Sequence, residues 1–527
     1  MNLGLYLERS ATFWPDRPAV LFRDHALSYR QLEQRSNRLA QALRRLGLQR
    51  GDRVAIVSPN RPEIVELECA FYKLGLVKVA LNSRLAAAEL ADELANAEPA
   101  ACVAAAQHRA LVDVAVAALP APKARIALDG DGDGDSAGWA DYEALLRGEP
   151  DTPIREDLRD DELAVLHYTS GSTGKLKAAM QTVGNRFASL RKIVTGRMQA
   201  GPGDVLLLCG PITHASGMFV QPMLFQGATI LLMEGFRPAE ILEAIERHRV
   251  TMCFFVPAMI HALLAEPSIR SRDLSSLRLV SYGAAPMSPS RIREAWAAFG
   301  PVLAQGYGAG ETTGGVLSLS IDDHRRAIGG ERPELLAACG RAIGEAEVRV
   351  LDDAGRPVQG DAIGEICVRG PDVFAGYWKA PESTREALGE IGGQDGWLRT
   401  GDLARVDHEG YVYIVDRKKE MLVSGGFNVY PREVESVLAQ HPAVYEACVV
   451  GVPDDHWGEA VKAVVVLRTG READARSLMD FCDGRLAGFK RPRSVDFVPA
   501  LPKNGNGKLS RKDVREPYWQ GRERRVN

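Results

Sequence analysis

Tyr168-Thr-Ser-Gly-Ser-Thr-Gly-Lys-Leu-Lys177 follows the apolar run Leu163–Leu166. The run reads as a buried strand. The loop after it is built from small hydroxylated residues and glycines, which let successive backbone N–H groups converge on phosphate oxygens. Lys175 and Lys177 add positive charge. A flexible Ser/Gly loop is the competing reading. The spacing is not that of a Walker A loop, because Gly171 lies three residues before Gly174 and Lys175 is followed by Leu176. Ser172 and Lys175 match the β-lactamase Ser-x-x-Lys spacing. No Lys-Thr-Gly follows, however, and no Gly-x-Ser-x-Gly occurs, so acyl-serine chemistry lacks its supporting parts.

Upstream, the chain alternates between helical and strand patterns. Ser28 and Gln31 form a capping box for a helix carrying Leu32, Leu39, Leu43 and Leu46 on one side, stopped by Gly47. Val54–Val57 reads as a strand. Asn60 and Glu63 suggest a second capping box, for a helix with Ile64, Leu67, Phe71 and Leu74 inward, and Val77–Leu81 is the next strand. This alternation predicts α/β layering with largely parallel strands. Downstream, strands at 163–167, 205–209, 229–233 and 277–281 alternate with helices at 238–248 and 288–299. Residues 340–416 are β-rich, with a turn at Asp352–Gly355. The last hundred residues read as a small α+β unit: helices at 431–440 and 473–487, strands at 444–450, 461–467 and 495–498. Asp129-Gly-Asp-Gly-Asp-Gly-Asp-Ser-Ala-Gly138 approaches a calcium loop, but its twelfth position is Ala140 rather than Glu, so a solvated loop is the better reading.

The 527 residues call for two to four domains or subdomains. Hydrophobic residues at 46% and charged residues at 25% are those of a globular protein, not a disordered one. Lys plus Arg number 65 against 69 Asp plus Glu, so nucleic acid is not an expected partner. No apolar stretch is long enough to span a bilayer, and the first residues lack the pattern of a secretory signal. The eight cysteines are scattered with no Cys-x-x-Cys, which argues for reduced thiols in a cytoplasmic setting and against a cysteine zinc site.

Four more segments carry chemistry. In Gln305-Gly-Tyr-Gly-Ala-Gly-Glu-Thr312, three glycines permit close approach of a flat ligand, Tyr307 offers a stacking face, and Glu311 is a hard oxygen donor suited to Mg²⁺. In Trp397-Leu-Arg-Thr-Gly-Asp402, the Asp can accept from two vicinal ribose hydroxyls or cap its own turn. Asp416-Arg-Lys-Lys-Glu420 is a charged run that leads into Ser424-Gly-Gly426. Near the end, Lys508 sits in the Gly/Asn loop Leu501-Pro-Lys-Asn-Gly-Asn-Gly-Lys508. A lysine on such a loop is ordinarily only solvated.

Taken together and in this order, the five segments resemble the adenylate-forming superfamily of acyl-CoA synthetases, luciferases and peptide-synthetase adenylation domains. The resemblance runs from Trp14-Pro-Asp-Arg-Pro-Ala19 to Lys508. It implies an α/β fold: a large N-terminal domain over 1–416, made of two α/β subdomains and a β-barrel-like subdomain, a hinge over 417–420 at Lys419, and a small mobile α+β C-terminal domain over 421–527. It implies an AMP-forming ligase acting on a carboxylic acid, ATP with Mg²⁺, and CoA. Thr169, Ser170, Gly171, Ser172, Thr173, Gly174 and Lys177 would hold the phosphates, with Thr169 and Glu311 near Mg²⁺. Gly283, Ala284, Ala285 and Tyr307 would sandwich the adenine, with Thr312 beside the nucleotide, and Asp402 and Arg417 would hold the ribose. Lys508 would bridge the acyl carboxylate and the α-phosphate. His214, in Pro211-Ile-Thr-His-Ala-Ser-Gly217, would position the acid and gate its pocket rather than act as a base. Met218, Phe219, Phe255, Gly308, Thr313 and Gly314 would border the acyl pocket. Gly425, Gly426, Trp457, Phe489 and Arg491 would contact CoA. A homodimer is left open.

The chain departs from the family pattern at Leu176 and Ala178, usually Pro and Gly, at Glu420, usually Asp, and at Gly310, usually a Thr that donates to the AMP phosphate. Losing one hydrogen bond to a charged group costs roughly 1.5–3 kcal/mol, unless Thr312 or Thr313 compensates. Two alternatives stay open: an acyl-AMP ligase that loads a carrier protein, and a nucleotide-binding homologue with little activity. Amino-acid activation is disfavoured, because such domains usually carry an Asp near the position of His214.

Overall fold

The computed structural model describes residues 2–130, 138–169, 177–391, 394–424, 427–454, 457–503 and 509–520. The chain packs as two units, one of residues 1–348 with 368–398 and one of 349–367 with 399–527.

The larger unit holds a seven-stranded and a nine-stranded sheet. The seven-stranded sheet runs Ala140–Asp141, Ala124–Ala127, Ala101–Ala104, Arg53–Val57, Val77–Ala80, Leu163–Thr169, Lys177–Thr182. It is parallel except for the last pair, which forms an antiparallel hairpin. The nine-stranded sheet has a parallel centre, Leu303–Ala309, Leu279–Gly283, Met252–Phe255, Val205–Leu208, Thr229–Leu232 and Pro18–Phe22, with antiparallel strands at each end. One core takes side chains from both sheets and their helices: Ile56, Leu206 and Ile230 from strands, Leu39 and Leu67 from helices. The near-continuous apolar strands are what burial on both faces demands.

A helix over Gly4–Phe13 comes first, and the next, Tyr29–Arg45, starts at the predicted capping box. Ser28 accepts from the Gln31 amide and the Gln31 side chain accepts from the Ser28 amide. Gly47 follows its end at φ 82°, a conformation glycine adopts without steric cost. The second box is not formed. The helix Pro62–Leu74 is capped at Arg61, with Pro62 in the first turn. Asn60 instead donates to the carbonyls of Gly210 (2.8 Å) and Met233 (3.0 Å) and accepts from the Ile212 amide (2.9 Å). The buried amide thus ties down two segments that leave the nine-stranded sheet, a demand that local spacing could not reveal. Asp129, at the start of the acidic loop, accepts from Arg61 and from the Ala106 amide. Residues 131–137 of that loop lie outside the described residues.

Residues 340–416 are strand-rich as expected. Strands run over Glu347–Leu351, Gly364–Arg369, Leu388–Ile391, Gln394–Val406 and Val412–Arg417, and the Gly355 amide closes the predicted turn on the Asp352 carbonyl at 2.9 Å. The division between the units falls inside three of these strands. In the smaller unit Val444–Asp454 and Gly458–Leu467 form a long antiparallel pair, joined by Leu422–Ser424, Phe427–Val429 and the parallel strand Ser494–Phe497. Helix Pro431–Leu438 matches expectation, and Ala475–Phe481 is shorter than the span 473–487. Helix Arg511–Trp519 is an addition that the sequence reading lacked; it carries Pro517 inside it. All eight cysteines are buried and none forms a disulfide.

Candidate active site

In the larger unit the phosphate-loop segment leaves one strand and enters its antiparallel neighbour, with Thr169 opposite Lys177. Ser170, Gly171, Ser172, Thr173 and Gly174, and the side chain of Thr169, lie outside the described residues. The Lys177 ammonium stands 5.2 Å from the ring centre of Tyr377, a cation–π distance. The Tyr377 hydroxyl donates to Glu311 Oε1 at 2.8 Å. Burial and the neighbouring Glu311 carboxylate push the phenol pKa up, so the proton stays on the tyrosine. Backbone bonds fix the same three segments: Gln181 Nε2 donates to the Gly310 carbonyl (2.9 Å) and the Phe374 amide to the Glu311 carbonyl (2.9 Å). Tyr377 was missed in the sequence. The aromatic cluster Phe374-Ala-Gly-Tyr-Trp378, between charged stretches, was the available signal.

Glu311 sits in the turn between strands Leu303–Ala309 and Gly314–Leu319. Thr312 is buried, and its hydroxyl accepts from the Ala309 amide (2.9 Å) and donates to the Gly314 carbonyl (2.7 Å). It therefore stiffens the turn. Thr313 is buried at φ 43°, and its hydroxyl has no hydrogen-bond partner among the described residues.

Gly283 ends a parallel strand beside Gly306. A Cβ on Gly283 would lie 2.3 Å from the Gly306 carbonyl oxygen, so the two strands approach too closely for any side chain. Ala284 follows at φ 64° and is exposed, as Ala285 and Tyr307 partly are. The carboxyl ends of parallel strands are where open α/β sheets bind ligands.

His214 precedes the short helix Ala215–Phe219, and its Nδ1 lies 3.2 Å from Thr213 Oγ1. Its ring meets that of His167, on the strand before the phosphate loop, at 5.5 Å. Met218 and Phe219 continue from it. A Cβ on Gly314 would lie 2.5 Å from Met218 Cε, and one on Gly308 would lie 1.9 Å from the Gly314 carbonyl oxygen. Gly314 leaves the room that Met218 fills, and Gly308 lets its strand approach Gly314. Phe255 is fully buried, opposite Tyr282.

In the smaller unit Asp402 and Arg417 are cross-strand partners, with Arg417 Nε 3.2 Å from Asp402 Oδ1. The Thr400 hydroxyl accepts from the Asp402 amide (3.1 Å) and donates to the Ile366 carbonyl (2.8 Å). Asp416 accepts from the amides of Arg417 and Arg432, both at 2.8 Å, yet burial pushes its carboxyl up to about 6. Lys419 lies in the turn after this strand. Arg511 reaches Glu420 (3.0 Å), the Val449 carbonyl (2.6 Å) and Glu435. Lys508 lies outside the described residues, but its loop has a fixed base, because Lys503 pairs with Leu509 and the Ser510 amide donates to the Pro502 carbonyl at 2.9 Å. Gly425 and Gly426 also lie outside. Beyond them Phe427 is 55% exposed and stacks on Phe489 at 4.7 Å. Trp457 lies under the Arg493 guanidinium at 5.3 Å, and Arg491 pairs with Asp483.

Among the described residues no three His, Cys, Asp or Glu side chains gather as a metal cage. Mg²⁺ is held by one or two carboxylates plus substrate phosphates, and Glu311, fixed by Tyr377, is a carboxylate that could take that part. No helix among the described residues is long and apolar enough to cross a membrane.

Comparison with known proteins fits this geometry. Residues 7–378 match the family described as AMP-binding enzyme, and residues 433–508 match the AMP-binding enzyme C-terminal domain. A feruloyl-CoA synthase of Amycolatopsis is 38% identical over 98% of this chain and 99% of its own. A medium/long-chain-fatty-acid–CoA ligase of Mycobacterium tuberculosis is 37% identical over 97% of this chain and 89% of its own. The crystal structure of ATP-bound MatB from Rhodopseudomonas palustris superposes with a TM-score of 0.88 at 32% identity, covering 99% of each chain.

Proposed function

From the premise that the chain belongs to the AMP-binding enzyme family and is an AMP-forming acid–thiol ligase, we propose that it is an acyl-CoA synthetase for an aliphatic or aromatic carboxylic acid. In the first half-reaction a carboxylate oxygen attacks the α-phosphorus of ATP. The bond to the bridging oxygen breaks, pyrophosphate leaves, and acyl-AMP remains. In the second, the CoA thiol, having lost its proton, attacks the acyl carbon and AMP leaves.

The observation that carries the reading is the Lys177–Tyr377–Glu311 assembly, which brings a cation from the edge of the phosphate loop and a fixed carboxylate to one phenol. A phosphoryl site needs that pairing: positive charge for the leaving pyrophosphate and an oriented oxygen ligand. When bound, Mg²⁺ supplies charge neutralisation on the phosphates, and Glu311 with Thr169 would hold it. Thr169 to Gly174 and Lys177 hold the β- and γ-phosphates, and Tyr307 with Gly283, Ala284 and Ala285 holds the adenine. Asp402 and Arg417 hold the ribose. Lys508 donates to the acyl carboxylate and the α-phosphate as charge builds between them. His214 orients the acid. Gly425, Gly426, Trp457, Phe489 and Arg491 serve CoA once the segment beyond Lys419 has turned. Buried cysteines without disulfides suit a reducing, cytoplasmic setting.

The test is acid-dependent exchange of pyrophosphate into ATP, followed by AMP release with CoA. Exchange with at least one acid class is expected; no exchange across aliphatic and aromatic acids overturns the reading. Comparing CoA with a holo-carrier protein as acceptor separates it from carrier loading.

A further inference from the structure

The wall proposed for the acyl pocket carries a charge that no carboxylate among the described residues balances. Helix Val183–Lys192 ends in a π-helical turn, Ile193–Arg197, an uncommon geometry found mostly at functional positions. The turn brings Arg197 against Phe219 of that wall and against the two strands that flank the Glu311 turn. Its guanidinium carbon lies 5.6 Å from the ring centre of Phe219. A Cβ on Gly306 would meet the same carbon at 2.2 Å, and one on Gly315 would meet Nη1 at 2.7 Å. Both glycines, on the strands that flank the Glu311 turn, are therefore what makes room for the guanidinium. The sequence spends two side-chain positions to host one cation.

The host offers that cation little in return. Nη2 donates to Ser281 Oγ at 3.0 Å, while Nε is buried with no hydrogen-bond partner among the described residues. Among the described residues no carboxylate acts on it, and burial moves its pKa down to about 10. It remains protonated at neutral pH. The nearby Lys192 is already paired with Asp372 at 2.5 Å and adds repulsion rather than relief. The Phe219 face and one serine hydroxyl compensate part of the charge only. A buried, uncompensated cation costs several kcal/mol, a cost a fold does not need to carry when Leu or Met would fill the same space.

We propose that Arg197 is a specificity-determining residue of the acyl pocket, receiving a second carboxylate on the acid whose first carboxylate is activated. The inference rests on the acyl-CoA synthetase reading. A planar guanidinium matches a carboxylate in two-point geometry, and a bound anion would relieve both the lone Nε and the unbalanced charge. The preferred acids are then dicarboxylates rather than the matching monocarboxylates.

The experiment compares AMP release, with CoA and MgATP, for straight-chain dicarboxylic acids from succinate to sebacate and for the monocarboxylic acid of the same carbon number, using the full chain. The wild-type protein should favour its best dicarboxylate over the matching monoacid by at least about tenfold in kcat/KM, the value of a charged hydrogen bond. Arg197→Met should reverse the preference, and Arg197→Lys should retain part of it. A wild-type protein that uses monoacids equally well or better at every length overturns the inference and leaves the synthetase reading standing. No AMP from either series overturns the inference, and the synthetase reading falls with it only if aromatic acids also give no pyrophosphate exchange. A variant that slows both series by the same factor marks Arg197 as structural and overturns the inference. The wild-type ratio decides even if a variant fails to fold.

Discussion

The Tyr377 hydroxyl holds Glu311 Oε1 at 2.8 Å, although 66 residues separate the two in sequence. The same ring lies 5.2 Å from the Lys177 ammonium. One phenol thus orients the carboxylate offered to Mg²⁺ and touches the cation at the edge of the phosphate loop. Tyr377→Phe keeps the ring and removes the donor. A hydrogen bond to a charged group contributes about 1.5–3 kcal/mol, so adenylation should fall by about tenfold or more, with the Mg²⁺ concentration needed for half-maximal rate rising. Pyrophosphate exchange across a Mg²⁺ titration reads both. An unchanged Mg²⁺ dependence would remove Tyr377 from the site.

Lys508 is assigned to the first half-reaction alone. Its loop closes on the pairing of Lys503 with Leu509 and on the Ser510 amide, so Lys508→Ala leaves the base of the loop intact. Losing one donor to a developing anion costs about 3–4 kcal/mol. Adenylation should drop by about two to three orders of magnitude, while thioester formation from supplied acyl-AMP is spared. Equal loss in both half-reactions contradicts the assignment.

Local signals were legible wherever neighbouring residues decide the outcome. The Ser28–Gln31 box, the stop at Gly47 and the apolar strands at 53–57 and 77–80 needed only short-range chemistry. What failed was what depends on distant partners. Asn60 has the spacing of a cap, but its amide is recruited by three backbone groups from 210–233. The insertion of Thr229–Leu232 between Val205–Leu208 and Pro18–Phe22 leaves no mark on spacing. Helix Arg511–Trp519 was hidden by Pro517 and by a charged sequence, and it is held by Arg511 reaching Glu420 and Glu435. In the site, Glu311, Lys177 and the pair Asp402–Arg417 were put forward as candidates by motif order. Tyr377 and Arg197 were not, because each acts through contacts that only the fold creates.

His324 gives a stability prediction with a definite sign. It is buried between the Ser320 carbonyl, 2.7 Å from Nδ1, and the Tyr282 hydroxyl, 2.8 Å from Nε2. Nδ1 therefore donates, Nε2 accepts, and the ring is neutral. Burial, opposed by the Ser320 bond and Asp323, lowers its pKa from 6.5 to about 4. Between those values the unfolded chain binds more protons than the folded one, so stability is full above pH 6.5 and is lost as pH falls toward 4. The loss attributable to this residue is about 3 kcal/mol. His324→Gln should flatten the dependence over that window. Denaturant unfolding followed by tryptophan fluorescence is suited to the measurement, because the Trp296 ring stacks over His324 at 6.4 Å. An unchanged slope would show that the imidazole titrates normally.

The assignment of the ribose to Asp402 is separable from a structural role of the Asp402–Arg417 pair. The two lie 3.2 Å apart on adjacent strands, and the Arg417 side chain is more than half exposed. Asp402 is buried, but the Arg417 end of the pair is solvent-screened and Asn keeps the shape of the buried Asp, so Asp402→Asn should unfold at close to the wild-type temperature. A carboxylate that accepts from ribose hydroxyls is worth a charged hydrogen bond, and its loss should raise KM for ATP by about tenfold without changing KM for the acid. The sharper readout is 2′-deoxy-ATP. The wild-type protein should discriminate against it, because one hydroxyl is missing from a charged acceptor, whereas Asp402→Asn should discriminate far less, because the acceptor is already weakened. If instead the variant loses affinity for both nucleotides by the same factor and keeps its preference for ATP, Asp402 shapes the strand pair and something else holds the sugar.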